Sequence, residues 1–504
     1  MCPDEKFEGS HSAPDTPTTN AWWAKLTSGV GQLERGSQIA PLIVALSLGL
    51  VANWFLTSEA AGPVLVKIFE LLGAASVCIA ALYARRDKGL LLMALVLIES
   101  QLTGDLGVTT RAQLHYGLLA LFCVPCVPYV WRSNLWRSGN FRSYLIFSAW
   151  ALLSICWSLA PSFSIARLTG SLLMFCGIIA ISATVHNDKD FSQVTWRYVE
   201  ACSLIVIVVV LSGIFLPASI TWSEPTEFSV EAQVSRFQGI LDNPNAVGAL
   251  MLAAVGSILA FWPFFGRRKK VFLFIVMVLA IGSGALADSR SPFIALAVGS
   301  ALYALWRYGA KGLIIVTAAV VAMIAAMPLL GGNLSDYIHG RDVGTLSGRT
   351  DIWEFALHEL RERPIRGYGY EVAGAIFQSR YFPVWYGPWD DGPQSSLHNG
   401  YLTQAIGVGI PAAIFWLYII VKPFVRLFHR KEDPWNLKRA VFFVVIPIFI
   451  LNLTEASFES FLGGEGILLG MIWAAAEIYQ RSVEETESAD QHQKTSLTNR
   501  SLFS

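Results

Sequence analysis

The sequence predicts an all-α fold, a polytopic transmembrane bundle of about 12–14 spans with one large extracytoplasmic loop that contains an amphipathic helix. Three observations predict it. Of the 504 residues, 54% are hydrophobic and only 15% charged, whereas a soluble chain usually carries about 25% charged residues. Mean hydropathy is +0.50. The apolar residues are also gathered into runs of roughly twenty between positions 39 and 478, each long enough to cross a hydrocarbon layer of about 30 Å.

Candidate spans fall at 38–56, 64–84, 89–102, 115–131, 143–160, 165–185, 199–218, 245–265, 271–287, 292–309, 312–330, 399–421, 439–456 and 462–479. Their loops alternate in charge. Those on one side carry twenty Lys and Arg, including Arg85, Arg86 and Lys88, the run 267–270, and Lys422, Arg426 and Arg430. Short loops on the other side carry four: Arg111, Arg167, Arg236 and Arg290. Basic loops stay in the cytoplasm, so both termini are expected inside, in a bacterial inner membrane. The domain organisation that follows is a disordered cytoplasmic tail (1–37), a first transmembrane part (38–330), a periplasmic loop (331–398), a last transmembrane part (399–480) and a second cytoplasmic tail (481–504). Residues near the start are polar and rich in Ser, Thr and Pro, without the basic-then-apolar order of a signal peptide.

Composition also excludes functions. Formal net charge is zero, which gives nucleic acid no electrostatic footprint. Six of the seven cysteines lie in apolar runs, and the lone pair Cys123 and Cys126 reads as small buried hydrophobes rather than a metal or redox site. No cluster of ligating residues calls for a metal, and no cofactor is expected.

The polar residues with chemical potential fall on the predicted outer face. Arg236 stands in RFQGILDNPNAVG, where Asn243 and Asn245 flank a proline at the start of a span. Such a capped helix start favours an anion, although an ordinary asparagine cap gives the same pattern. Arg290, in ADSRSPF, sits in a break too short for a solvated loop. A charge at a membrane edge is usually paired; Asp288 is one partner and a lipid-borne phosphate is another, which the planar guanidinium fork suits. His398 opens the span HNGYLTQAIGVG, and imidazole accepts a proton near neutral pH. Glu455, in LNLTEASFES, is placed to pair with an arginine or to orient the histidine, and a solvated loop carboxylate is equally compatible with the sequence.

Within the long loop, SGRTDIWEFALHELRERPIRGYGYE spaces Ile352, Phe355, Ala356 and Leu360 on one side of a helix. Ser347 or Thr350 would cap this helix and Pro364 with Gly367 would end it. It would lie on the bilayer or lid a cavity. Trp385 and Trp389 follow beside Asp390 and Asp391; aromatic faces beside carboxylates suit sugars, and aromatic residues also collect at membrane interfaces.

From Arg236 to about residue 459 the chain resembles the O-antigen ligase and O-antigen polymerase superfamily, which includes bacterial exopolysaccharide polymerases. The matching pieces are RFQGILDNPNAVG, SRSPFIAL, GRTDIWEFALHELRERPIRGYGY and HNGYLTQAIGVG, the last with Gly409 eleven positions after His398. Ile294 stands where the arginine pattern expects leucine. The resemblance implies a metal-independent inverting transferase acting on an undecaprenyl-diphosphate-linked glycan. On this analogy Arg236 and Arg290 bind the diphosphate and His398 activates the acceptor hydroxyl, with Arg349, Glu455, Asn243, Asn245, Trp385 and Trp389 as candidate supporting residues. The acceptor would be a second lipid-linked glycan, as in a polymerase, or lipid A core sugar, as in a ligase. Membrane lipid and a chain-length regulator are the implied partners. A lipid-linked glycan flippase is the reading from another class; it suits the number of spans, but no internal repeat of the kind transporters show is visible.

Overall fold

A computed structural model describes residues 87–99, 108–185, 188–223, 235–241, 243–312, 314, 316–318, 349–381, 397–430, 434–455 and 463–502. The two spans expected before residue 85, most of the span at 312–330, and Trp385 and Trp389 lie outside the described residues. All described residues belong to one compact unit, Ala84–Ser504.

The chain is an all-α polytopic membrane protein. Its helices, in order, are α1 (Lys88–Glu99), α2 (Val108–Cys123), α3 (Val127–Ser133), α4 (Gly139–Ser154), α5 (Pro161–Ser182), α6 (Asp188–Phe215), α7 (Pro244–Phe261), α8 (Arg267–Leu286), α9 (Arg290–Tyr308) and α10 (Arg349–Glu362). After these come α11 (Gly400–Val408), α12 (Ile410–His429), α13 (Leu437–Ala440), α14 (Ile446–Leu451) and α15 (Gly464–Leu502), with a π turn (Val441–Val445) joining α13 to α14. Five of them, α5, α6, α7, α8 and α12, are long and apolar enough to cross a membrane. The one sheet among the described residues is a two-residue antiparallel pair, Trp222 opposite Phe237 and Ser223 opposite Arg236.

Several boundaries differ from the hydropathy pattern, each for a local reason. The span expected at 115–131 is interrupted at Val124–Cys126 by a tighter turn carrying Pro125. The span expected at 399–421 is two helices that meet at Gly409 and continue to His429. Gly409 has φ 86° and ψ 158°, and a Cβ there would lie 1.9 Å from the Ile365 carbonyl oxygen. Only glycine fits that conformation. The segment after Arg481, expected as a disordered tail, continues as α15 to Leu502; it contains neither Pro nor Gly, so nothing in it breaks a helix.

Central to the bundle is α7, which packs on α6, α8, α9, α15 and the π turn. Its end and three others lie together. The Arg439 guanidinium at α13 donates to the Leu259 carbonyl at the foot of α7 at 2.8 Å, and Lys438 donates to the Arg430 carbonyl beyond α12. The basic run opening α8 follows α7 directly. The opposite end of the bundle holds the starts of α7, α9 and α11 and the end of α14.

The amphipathic helix α10 forms as the spacing predicts, but it covers protein rather than lipid. Ala356 and Leu360 are buried in a cluster with Tyr368, Val372, Ile376, Leu397 and Ile406, with Ile352 and Phe355 packed against it. Glu359, on its polar side by spacing, is buried and paired with Arg380 at 2.6 Å. Substituting Gly409 by alanine should destabilise the folded chain by on the order of 1–3 kcal/mol from backbone strain, with the clash against Ile365 adding to it; thermal unfolding in detergent measures this, and an unchanged midpoint would contradict the close approach described.

Candidate functional site

Two groups of polar residues form at the end of the bundle opposite the basic loops. The first is built around Asp288, in the three-residue joint between α8 and α9. Asp288 adopts φ 46°, a left-handed conformation that aspartate tolerates better than most residues. Arg290, the first residue of α9, donates from Nε to the Asp288 carboxylate at 3.2 Å. Arg236, on the second strand, donates from Nε to the Ala287 carbonyl at 2.9 Å and from Nη2 to the Asp288 carbonyl at 3.3 Å. Two arginines separated by more than fifty positions thus meet at one turn, both only partly buried. Guanidinium groups side by side repel one another and together favour a multivalent anion between or above them.

The asparagines divide their work. Asn243 caps α7, its side chain accepting from the Asn245 backbone N–H at 2.8 Å. Asn245 turns its own side-chain oxygen to Arg236 Nη2 at 3.0 Å. Proline at the first helical turn leaves no wasted donor there. The cap therefore holds an arginine in place rather than presenting a bare helix start.

The second group is centred on Glu455. Its Oε2 lies 3.0 Å from His398 Nδ1 and its Oε1 accepts from Arg349 Nη2 at 2.7 Å. Arg349 also donates to the Thr454 carbonyl. Burial works to raise the Glu455 pKa, but the hydrogen bond and charge of His398 together with Arg349 outweigh it and hold the carboxyl below its ordinary value of 4.5. At neutral pH the carboxylate is ionised and can only accept, so His398 carries its proton on Nδ1 and Nε2 is the nitrogen able to take another.

The backbone around His398 is fixed from several directions. His398 has φ 50°. Asn399 caps α11 by accepting from the Leu402 N–H at 3.0 Å. The Gly400 N–H donates to the carbonyls of Asn452 (3.0 Å) and Glu455 (3.1 Å), an approach so close that a Cβ on Gly400 would lie 2.2 Å from Asn452 Oδ1. Trp353 of α10 donates to the Leu397 carbonyl at 3.0 Å. Helix α10 thus grips the histidine on both sides, through Trp353 before it and Arg349 behind its carboxylate. Trp353, Gly400 and Asn452 carry no sequence signal for this role, although Trp353 and Gly400 stand inside the quoted motifs.

Packing relates the two groups. Rings of Tyr303 and Phe442 lie 5.8 Å apart, and a Cβ on Gly299 would sit 2.7 Å from Pro447, so α9 and the π turn with α14 run antiparallel in contact. Arg290 opens α9 nine residues before Gly299 and Glu455 lies in the turn that follows α14, so the two groups stand at the same end of this antiparallel pair. Among the described residues no three His, Cys, Asp or Glu gather as a metal-binding group.

Comparison with known proteins agrees with the resemblance seen in the sequence. Residues 275–417 match the O-antigen ligase family model, a stretch that includes Arg290, Arg349 and His398 and excludes Arg236 and Glu455. The chain is 25% identical over 350 residues to the exopolysaccharide production protein ExoQ of Rhizobium meliloti, covering 64% of this chain and 73% of the relative. It is 27% identical over 353 residues to the O-antigen ligase of Pseudomonas aeruginosa, covering 66% and 77%, and 22% identical over 339 residues to a putative polysaccharide ligase of Rickettsia felis, covering 64% and 77%. The chain is thus similar to the O-antigen ligase and polymerase superfamily.

The depressed Glu455 pKa fixes a pH dependence. The group stabilises the fold above its unfolded pKa of about 4.5 and loses that contribution as pH falls through the lower folded value. Glu455→Gln should therefore lower stability at neutral pH and flatten the loss of stability below about pH 4.5; a variant whose acid unfolding curve parallels that of the native chain would contradict the pairing.

Proposed function

We propose that this protein is an inner-membrane glycosyltransferase that polymerises undecaprenyl-diphosphate-linked glycan repeat units on the periplasmic side, without a metal and with inversion at the anomeric carbon. The observation that carries the reading is the convergence of Arg236 and Arg290 on Asp288, at the same end of the α9–α14 pair as a histidine whose Nδ1 is held by an ionised carboxylate. Sidedness follows from the basic loops at the other end of the bundle, which the positive-inside rule assigns to the cytoplasm.

In this reading the donor diphosphate sits at the outer interface against Arg236 and Arg290. The acceptor hydroxyl approaches His398, which takes its proton on Nε2 as the oxygen attacks the anomeric carbon. The carbon–oxygen bond to the acceptor forms, the bond to the phosphate oxygen breaks, and undecaprenyl diphosphate leaves with the electron pair. Glu455 stabilises the imidazolium that results, and the two guanidinium groups stabilise the charge developing on the leaving group. Arg349 acts through Glu455 as a positioning residue.

A ligase that attaches the polymer to lipid A core sugar is the second reading, favoured by the Pseudomonas relative and by the family model. Both use the same chemistry on different acceptors. In envelope extracts of a strain lacking the gene, loss of polymer length supports the polymerase and loss of polymer on lipid A supports the ligase.

His398→Ala should lower transfer on the order of 10²–10⁴-fold while the protein remains in the membrane at normal amounts; normal glycan from that variant would refute a histidine base. Arg290→Lys keeps the charge but loses the fork, and should be strongly impaired in transfer from a defined lipid-linked oligosaccharide. Native activity in Arg290→Lys would argue against diphosphate binding there.

A further inference from the structure

Five buried side-chain atoms near the start of α4 make no hydrogen bond among the described residues: Ser138 Oγ, Asn140 Oδ1 and Nδ2, Glu477 Oε2 and Gln480 Oε1. Buried polar atoms are nearly always paired, and an orphan needs an explanation such as an ordered water or an ion. Here the orphans fall together, at the end of the bundle that holds the basic loops.

Three helices bring them there. Pro423, within two turns of the end of α12 at His429, has no N–H, so the Ile419 carbonyl loses its ladder partner. Trp473 of α15 donates to that carbonyl at 3.0 Å. Further along the same face of α15, Gln480 Nε2 donates to the Pro423 carbonyl at 2.7 Å. Glu477 stands between them. Its Oε1 accepts from the Asn140 backbone N–H at 3.0 Å, across 337 positions of sequence. That bond caps α4 in place of Ser138, which occupies the N-cap position without a side-chain cap. Phe141 packs edge-on against Trp473, ring centres 5.1 Å apart, and closes the apolar side.

The four residues surround one point. Ser138 and Asn140 flank Gly139, where a Cβ would lie 3.3 Å from Glu477 Oε1, and Gln480 follows Glu477 by three positions. Asn140, Glu477 and Gln480 are 1%, 5% and 5% exposed. No Lys, Arg or His among the described residues forms an ion pair with Glu477. A carboxylate buried to this degree with no counter-charge is strongly disfavoured. Water can satisfy its hydrogen bonds but not its charge. Four of the five orphan atoms are oxygens, from one carboxylate, two amides and one hydroxyl, which is the donor set of a hard cation. A single negative charge matches a single positive one, whereas divalent sites gather several carboxylates.

We propose that these oxygens hold one monovalent alkali cation, Na+ or K+, which neutralises Glu477 and ties the start of α4 to α12 and α15. Asn140 Nδ2 donates to a water in the same shell. The ion is structural: it lies at the opposite end of the bundle from His398 and takes no part in transfer.

The test uses the full-length protein purified in detergent and unfolded by heat in NaCl, KCl or N-methylglucamine chloride at one ionic strength. The native chain should unfold about 2 °C or more higher in Na+ or K+ than in the bulky organic cation, with the gain saturating as the alkali ion is raised. Glu477→Gln keeps the side-chain shape and a capping oxygen but removes the charge, and its midpoint should be the same in all three salts. Glu484→Gln, on an exposed position of α15, should keep the native response. Equal native midpoints in the three salts overturn the proposal and assign the place to waters or a protonated carboxyl. A response that Glu477→Gln retains overturns it too, as does a gain seen only with Ca2+ or Mg2+. A second measurement needs no variant: radioactive sodium or rubidium, the latter standing in for potassium, should bind the native protein at a single ion per chain and be displaced by the unlabelled salt. Displaceable binding of neither ion sinks the inference.

Discussion

A charge at the edge of a hydrocarbon layer costs several kcal/mol unless it finds a partner, and the Glu455 carboxylate meets that requirement twice. One oxygen takes the Arg349 guanidinium and the other faces His398. Those three residues come from the loop helix α10, the start of α11 and the turn after α14. Their pairing ties the amphipathic helix to the membrane bundle and fixes the orientation and tautomer of the imidazole in the same act. The arginine pair at Asp288 repeats the pattern with opposite charge, and antiparallel packing of α9 against α14 brings both groups to one end of that pair.

Much of this was legible in the residues. His398 and Gly409 stand eleven apart because α11 is a nine-residue helix whose two ends are both pinned: Gly400 against Asn452 and Glu455, Gly409 against Ile365. Arg290 was visible as a charge in a break with no room for solvent, and the structure gives it the Asp288 partner that the sequence offered. The apolar face of α10 was visible from its spacing.

Other features were hidden because they depend on contacts between distant segments. The sequence could not say whether Glu455 was a solvated carboxylate, since its partners lie at 349 and 398. Asn243 and Asn245 look alike on paper, yet one caps a helix and the other holds an arginine. Hydropathy merged α11 and α12 into one span because a left-handed glycine leaves no trace in an apolar run.

The account requires that both polar groups face away from the cytoplasm. Single cysteines at Asn243 and Leu453, exposed beside the arginines and the histidine, and at Gly266 at the basic end, placed in a chain whose native cysteines are replaced, measure this directly. In intact cells with a permeabilised outer membrane, a membrane-impermeant maleimide should label positions 243 and 453 and spare 266. Labelling of 266 with protection of 243 and 453 until the inner membrane is opened would contradict it.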